Sequence, residues 1–152
     1  MALRIYREVS TGVYAVYGDY GADDGLLPVT STHDGELGET VELKLFLRNG
    51  NDLEYYTNVT VTPESLTVPN DVIGTASGWG VKLKRGQNRP TEAEWDAIDY
   101  GAAITFPDFG SAGNPDMTTY RAFWYRVECP AGASAQTKTN IVLTVSYTGN
   151  AV

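Results

Sequence analysis

At 152 residues, with 42% hydrophobic and 20% charged side chains, the chain has the size and composition of one folded domain and not of a disordered tail. A single cysteine, Cys129, excludes an intramolecular disulfide, and no apolar run approaches the length of a membrane-spanning helix. The net charge of −8 is lopsided: residues 1–76 hold 4 basic and 12 acidic side chains, a field that repels phosphate backbones and anionic lipids and so argues against nucleic acid and membrane as partners.

The first residues, Met1 to Glu8, alternate apolar and charged side chains, which is not the pattern of a secretory signal. Leu3–Val9 and Val13–Tyr17 are candidate short strands. From Gly18 to Gly38 the chain holds five glycines and five acids, and it reads as a long loop that makes residues 1–38 partly an acidic, loop-rich N-terminal arm. The strongest strand signal is Glu39 to Arg48, with Val41, Leu43, Leu45 and Leu47 on one face and Glu42, Lys44 and Arg48 on the other. It runs through the turn Asn49-Gly50-Asn51-Asp52 into a second strand, Tyr55 to Thr62.

Gly74 to Gly80 is glycine-rich, yet it lacks a Gly-Lys-Thr/Ser ending and opens no helix, so it reads as a turn into a strand over Trp79–Lys84. One helix is predicted. Thr91 caps it, Glu94 completes a capping box and Gly101 ends the segment, which would cover an end of the core with Trp95 as its anchor. Ala102–Phe106 is another short strand. Phe123, Tyr125 and Val127 then alternate with Trp124, Arg126 and Glu128 until Pro130, and Thr139–Tyr147 forms the last strand. Together these elements predict one all-β domain over residues 1–152, an antiparallel sandwich with a single short helix.

No catalytic or cofactor-binding set emerges. His33, the only histidine, lies in the polar stretch Thr32 to Glu36 and reads as a loop residue, while Cys129 beside Pro130 reads as a small buried apolar residue. One histidine and one cysteine do not make a transition-metal site, and the spacing of Asp19, Asp23, Asp24 and Asp34 does not match a calcium-binding EF-hand loop. With 19 acids some adjacent carboxylate pair is expected by chance, so no pair is nominated for glycoside chemistry. The candidate functional residues are instead aromatic: Tyr55, Tyr56 and Trp124 sit in alternating strands, where rings facing outward would form a protein contact or a sugar-stacking platform.

Two stretches carry a resemblance: Val41-Glu42-Leu43-Lys44-Leu45-Phe46-Leu47-Arg48-Asn49 with Tyr55-Tyr56-Thr57-Asn58-Val59-Thr60-Val61, and Phe123-Trp124-Tyr125-Arg126-Val127-Glu128-Cys129-Pro130-Ala131-Gly132 with Lys138 to Leu143. With Trp79–Leu83 and Pro90–Trp95 these resemble immunoglobulin-like β-sandwich proteins encoded among the virion genes of tailed bacteriophages. The resemblance spans most of residues 37–148 and implies a virion component assembled in the host cytoplasm. It implies no enzyme, cofactor or metal. The expected role is a capsid decoration protein that binds the major capsid protein and forms a homo-oligomer such as a trimer, with a tail or baseplate accessory protein as the alternative. From another class, a carbohydrate-binding module would use the same outward rings.

Overall fold

A period of two along each strand sends Leu45 and Leu47 of one strand, and Phe123, Tyr125 and Val127 of its neighbour, into a shared interior where all five are buried. The computed structural model describes residues 3–16, 26–33, 38–74, 77–133 and 136–152. Within them run β1 (Leu3–Ser10), β2 (Val13–Val16), β3 (Leu26–His33), β4 (Thr40–Asn49), β5 (Glu54–Ser65), β6 (Gly80–Arg85), α1 (Glu92–Asp96), β7 (Ile104–Phe106), β8 (Arg121–Glu128) and β9 (Gln136–Ala151). The strands form two sheets, ordered β2-β1-β4-β8-β6 and β3-β9-β5-β7, and every pairing is antiparallel. The described residues therefore form an all-β sandwich with one short helix, as predicted.

Apart from the β1–β2 hairpin, consecutive strands lie in opposite sheets. β9 is inserted between β3 and β5, and β8 between β4 and β6, so each sheet is completed by the last strands of the chain. The architecture of two face-to-face antiparallel sheets is shared with immunoglobulin-type sandwiches; the strand order differs and alternates between layers in the manner of jelly rolls.

β3 falls within the stretch read as loop. Pro28 interrupts its pattern, but β3 is an edge strand, where a missing backbone N–H is tolerated. His33 consequently ends a strand, paired with Gln136, and is not a loop residue. The acids Asp19, Asp23, Asp24 and Asp34 lie outside the described residues.

β5 contains a local inversion that decides which of two adjacent tyrosines faces inward. The β5–β9 register shifts between Thr57 and Thr60, and Asn58 there adopts φ 53°, a left-handed conformation that asparagine accepts more readily than most residues. Without this bulge, Tyr55 would share a face with Val59 and Val61. With it, Tyr56 joins them in the core at 0% exposure and Tyr55 turns outward. Asn58→Gly is expected to leave stability within about 0.5 kcal/mol, and Asn58→Val to cost about 1–2 kcal/mol, because a β-branched side chain cannot relax there; urea denaturation of the two variants measures the difference.

Candidate contact surface

The outward side of β2-β1-β4-β8-β6 carries the residues that alternate with the core set. β1 contributes Tyr6, β2 Tyr14, β4 Lys44, Phe46 and Arg48, and β8 Trp124. Tyr120, just before β8, folds over them. Tyr14 stacks on Tyr120 with centroids 4.0 Å apart, Tyr6 meets Tyr120 edge-on at 5.5 Å, and Tyr14 meets Phe46 edge-on at 5.0 Å. Phe46 is buried beneath this cluster although it points away from the core, while Tyr6, Tyr14, Tyr120 and Trp124 remain partly exposed.

Two cations frame the rings. Arg48 lies 4.9 Å from the Tyr120 centroid, donates from Nη1 to the Tyr120 hydroxyl at 3.1 Å and from Nε to the Met117 carbonyl at 2.6 Å. Lys44 sits 5.5 Å from the Phe46 centroid and pairs across the strands with Trp124. Among the described residues neither cation has a carboxylate partner, so the patch is aromatic and positive in a chain of net charge −8.

The three ring residues nominated from the sequence do not converge. Tyr56 is a core residue: its hydroxyl donates to Glu54 Oε2 at 2.8 Å and accepts from Asn51 Nδ2 at 3.2 Å, and burial, reinforced by Glu54, pushes its ionisation well above the ordinary tyrosine range. Tyr55 faces outward on the other sheet, and Trp124 on this one, so a sandwich about 10 Å thick separates them. Only Trp124 belongs to the aromatic patch. Tyr6 and Tyr14 were findable from the alternation of β1 and β2; Tyr120 precedes its strand and has no periodic signal.

Next to the patch, α1 covers the β8–β6 part of the same outer face. Thr91 and Glu94 form the expected capping box, but Trp95 anchors the helix on this outer face and not over an end of the core. Its carbonyl accepts from the buried Lys82 Nζ at 2.9 Å, and Arg126 lies 5.5 Å from its ring. Arg126, about 10% exposed, reaches Glu42 at 3.3 Å, Glu92 at 3.0 Å and Glu128 at 3.1 Å, and Arg89 grips Glu42 through two hydrogen bonds of 2.5 and 2.9 Å. Tyr100 donates to Glu128, and this bond, ahead of burial, pushes its hydroxyl up to about 12. Arg126 and Arg89 are thus paired with carboxylates within the fold, unlike Lys44 and Arg48.

The loop after β5 is a second, differently built surface. Lys138 and Asp71 form a buried ion pair at 2.6 Å, with Lys138 also 4.2 Å from the Trp79 centroid. Asn140 Nδ2 donates to Asp71 and to Thr67 Oγ1, each at 2.6 Å, and the Asp71 backbone N–H donates to Ser65 Oγ at 3.3 Å. The loop so held carries Leu66, 60% exposed, and Val68, 98% exposed.

Cys129 is buried at the end of β8 in the core cluster, its thiol 3.5 Å from the Pro130 carbonyl. Comparison with protein-family models, curated proteins and solved structures finds no significant match to this chain.

Burial would raise the Asp71 pKa, but hydrogen bonds from Lys138, Ser77 and Asn140 outweigh it and hold the carboxyl below its ordinary value. Its folded pKa thus lies below the unfolded one, so its contribution is complete above about pH 4 and is lost as pH falls through the depressed value. Asp71→Asn should cost about 3 kcal/mol at neutral pH, since it strands a buried ammonium. It should also flatten the acid limb of the stability profile, as measured by thermal unfolding between pH 2 and 7.

Proposed function

We propose that this chain is a non-enzymatic structural component of a bacteriophage particle, a capsid decoration protein that seats its aromatic and cationic face on the outer shell. The observation that supports this reading is the composition of that face. Tyrosine, tryptophan and arginine are the residues that dominate protein–protein hot spots, because they supply large contact area at small entropic cost. Here Tyr6, Tyr14, Tyr120, Trp124 and Arg48 gather on one outer sheet face, and stacking and hydrogen bonds already set the geometry of the three tyrosines and Arg48. The resemblance of residues 37–148 to sandwich proteins of tailed-phage virions supplies the identity of the partner.

A carbohydrate-binding module finds less support in this cluster, because sugar stacking needs an open ring face, whereas Tyr14 and Tyr120 cover one another, Arg48 lies over Tyr120 and Tyr56 is buried in the core. A tail or baseplate accessory protein remains the alternative location for a contact module of this kind.

Particles purified from a lysate of the host that carries the gene should contain the chain, and immunogold should label the head shell. Tyr120→Ala and Arg48→Ala proteins, added back to particles lacking the chain, should bind at least tenfold more weakly than the unmodified protein. Label confined to the tail would move the protein to the alternative location. Its absence from purified particles would reject the proposal.

A further inference from the structure

Asn49 closes β4 opposite Leu3 of β1 and, at 0% exposure, is the most deeply buried polar side chain among the described residues. Its amide is held on three sides. Nδ2 donates to the Glu54 carbonyl at 2.9 Å and to the Pro115 carbonyl at 2.6 Å, and Oδ1 accepts from the Asn51 N–H at 2.7 Å. Both amide hydrogens are thus committed to main-chain carbonyls, which a carboxylate, having no donor, would leave unpaired.

These bonds join three parts of the fold. Glu54 begins β5, and Pro115 belongs to the connection between β7 and β8, which the neighbouring Arg48 also holds through the Met117 carbonyl. Tyr120, at the end of that connection, is the ring against which Tyr6 and Tyr14 pack.

Of the eight asparagines in the chain, only Asn49 precedes a glycine. Gly50 has no side chain to shield its backbone nitrogen, and in a chain free to turn that nitrogen attacks Asn49 Cγ. A new C–N bond forms, the Cγ–Nδ2 bond breaks, and Nδ2 leaves as ammonia with the proton given up by Gly50. Water then opens the resulting five-membered imide at either carbonyl, leaving aspartate or its β-linked isomer at position 49. In the fold this attack is blocked. Ring closure requires the side chain and the ψ angle of Asn49 to turn together, and the hydrogen bonds pin the first while the β1–β4 pairing pins the second.

We propose that Asn49 is a latent deamidation site, silent in the folded protein and reactive in the unfolded chain, whose conversion makes unfolding irreversible. Aspartate there strands the Glu54 and Pro115 carbonyls and brings a charge into a fully buried position. The β-linked product also adds a carbon to the main chain where Asn49 meets Leu3. Either product removes one of the two ties, from Arg48 and Asn49, on the connection that carries Tyr120. A chain that dwells unfolded therefore loses both its fold and its aromatic face, a chemical route to irreversible unfolding. The inference concerns the chain alone and stands or falls independently of the particle assignment.

The test holds the purified full-length protein at mildly alkaline pH for increasing times, with and without denaturing guanidinium chloride. The denaturant is then dialysed away, folded and aggregated fractions are separated, and peptide mapping by mass spectrometry scores residue 49 in each. Asn49 should convert in denaturant and do so slower by roughly tenfold or more in the native protein, where reaction must wait for local opening. The yield of refolded protein should fall in step with conversion, and the refolded fraction should retain the amide. Asn49→Asp should fail to fold or should unfold at a lower temperature than the unmodified protein. Equal conversion with and without denaturant, an intact amide after long exposure to denaturant, converted chains recovered in the refolded fraction, or an Asn49→Asp protein that melts like the unmodified one would each overturn the proposal.

Discussion

The pairing of β4 with β8 is the constraint on which both the interior and the proposed working surface depend. Eight consecutive residue pairs, from Thr40 with Glu128 to Leu47 with Arg121, are held in one register. That register places Leu45 with Phe123 and Leu43 with Tyr125 on the inward side, and Lys44 with Trp124 and Glu42 with Arg126 on the outward side. A slip by one residue would exchange the two faces, burying charge and exposing the core. The aromatic patch is thus positioned by the same ladder that builds the hydrophobic core, and neither can shift without the other.

Charge is sorted across the outer face of this sheet in a way that separates structural work from the proposed contact. On the β8–β6 side, Arg126, Arg89 and Lys82 are bound to carboxylates, a helix carbonyl and the Tyr100 ring, and they fasten α1 over the strands. On the β1–β4 side, Arg48 and Lys44 interact with rings, a phenol and a carbonyl, none of which cancels their charge. Among the described residues, the net positive patch lies where no helix covers the sheet. In a chain with an excess of eight acids, an acidic partner surface would find its complement there more readily than elsewhere.

Much of the fold was legible from alternation alone. β4, β8, β9 and the capping box of α1 appear close to their predicted positions because a half-buried strand leaves a period-two trace and a cap leaves a fixed spacing. β3 was hidden by Pro28, whose acceptability depends on its being an edge strand, a property of the assembled sheet and not of the local sequence. The site was less legible. The bulge at Asn58 decides which of Tyr55 and Tyr56 faces inward, and no feature of the hydrophobic pattern announces it. Tyr120 joins the patch through tertiary folding, and Trp95 anchors its helix on the outer face because Lys82 and Arg126 supply a carbonyl partner and a cation beside the ring.

Hydroxyl-radical footprinting of the particle-bound and free protein measures directly which face of the sandwich meets the proposed partner. Oxidation of Tyr6, Tyr14, Tyr120 and Trp124 should fall on binding while that of Tyr55, on the opposite sheet, stays unchanged. Protection of Tyr55 with no change at Tyr14 and Tyr120 would place the contact on the opposite sheet and overturn the proposed aromatic face.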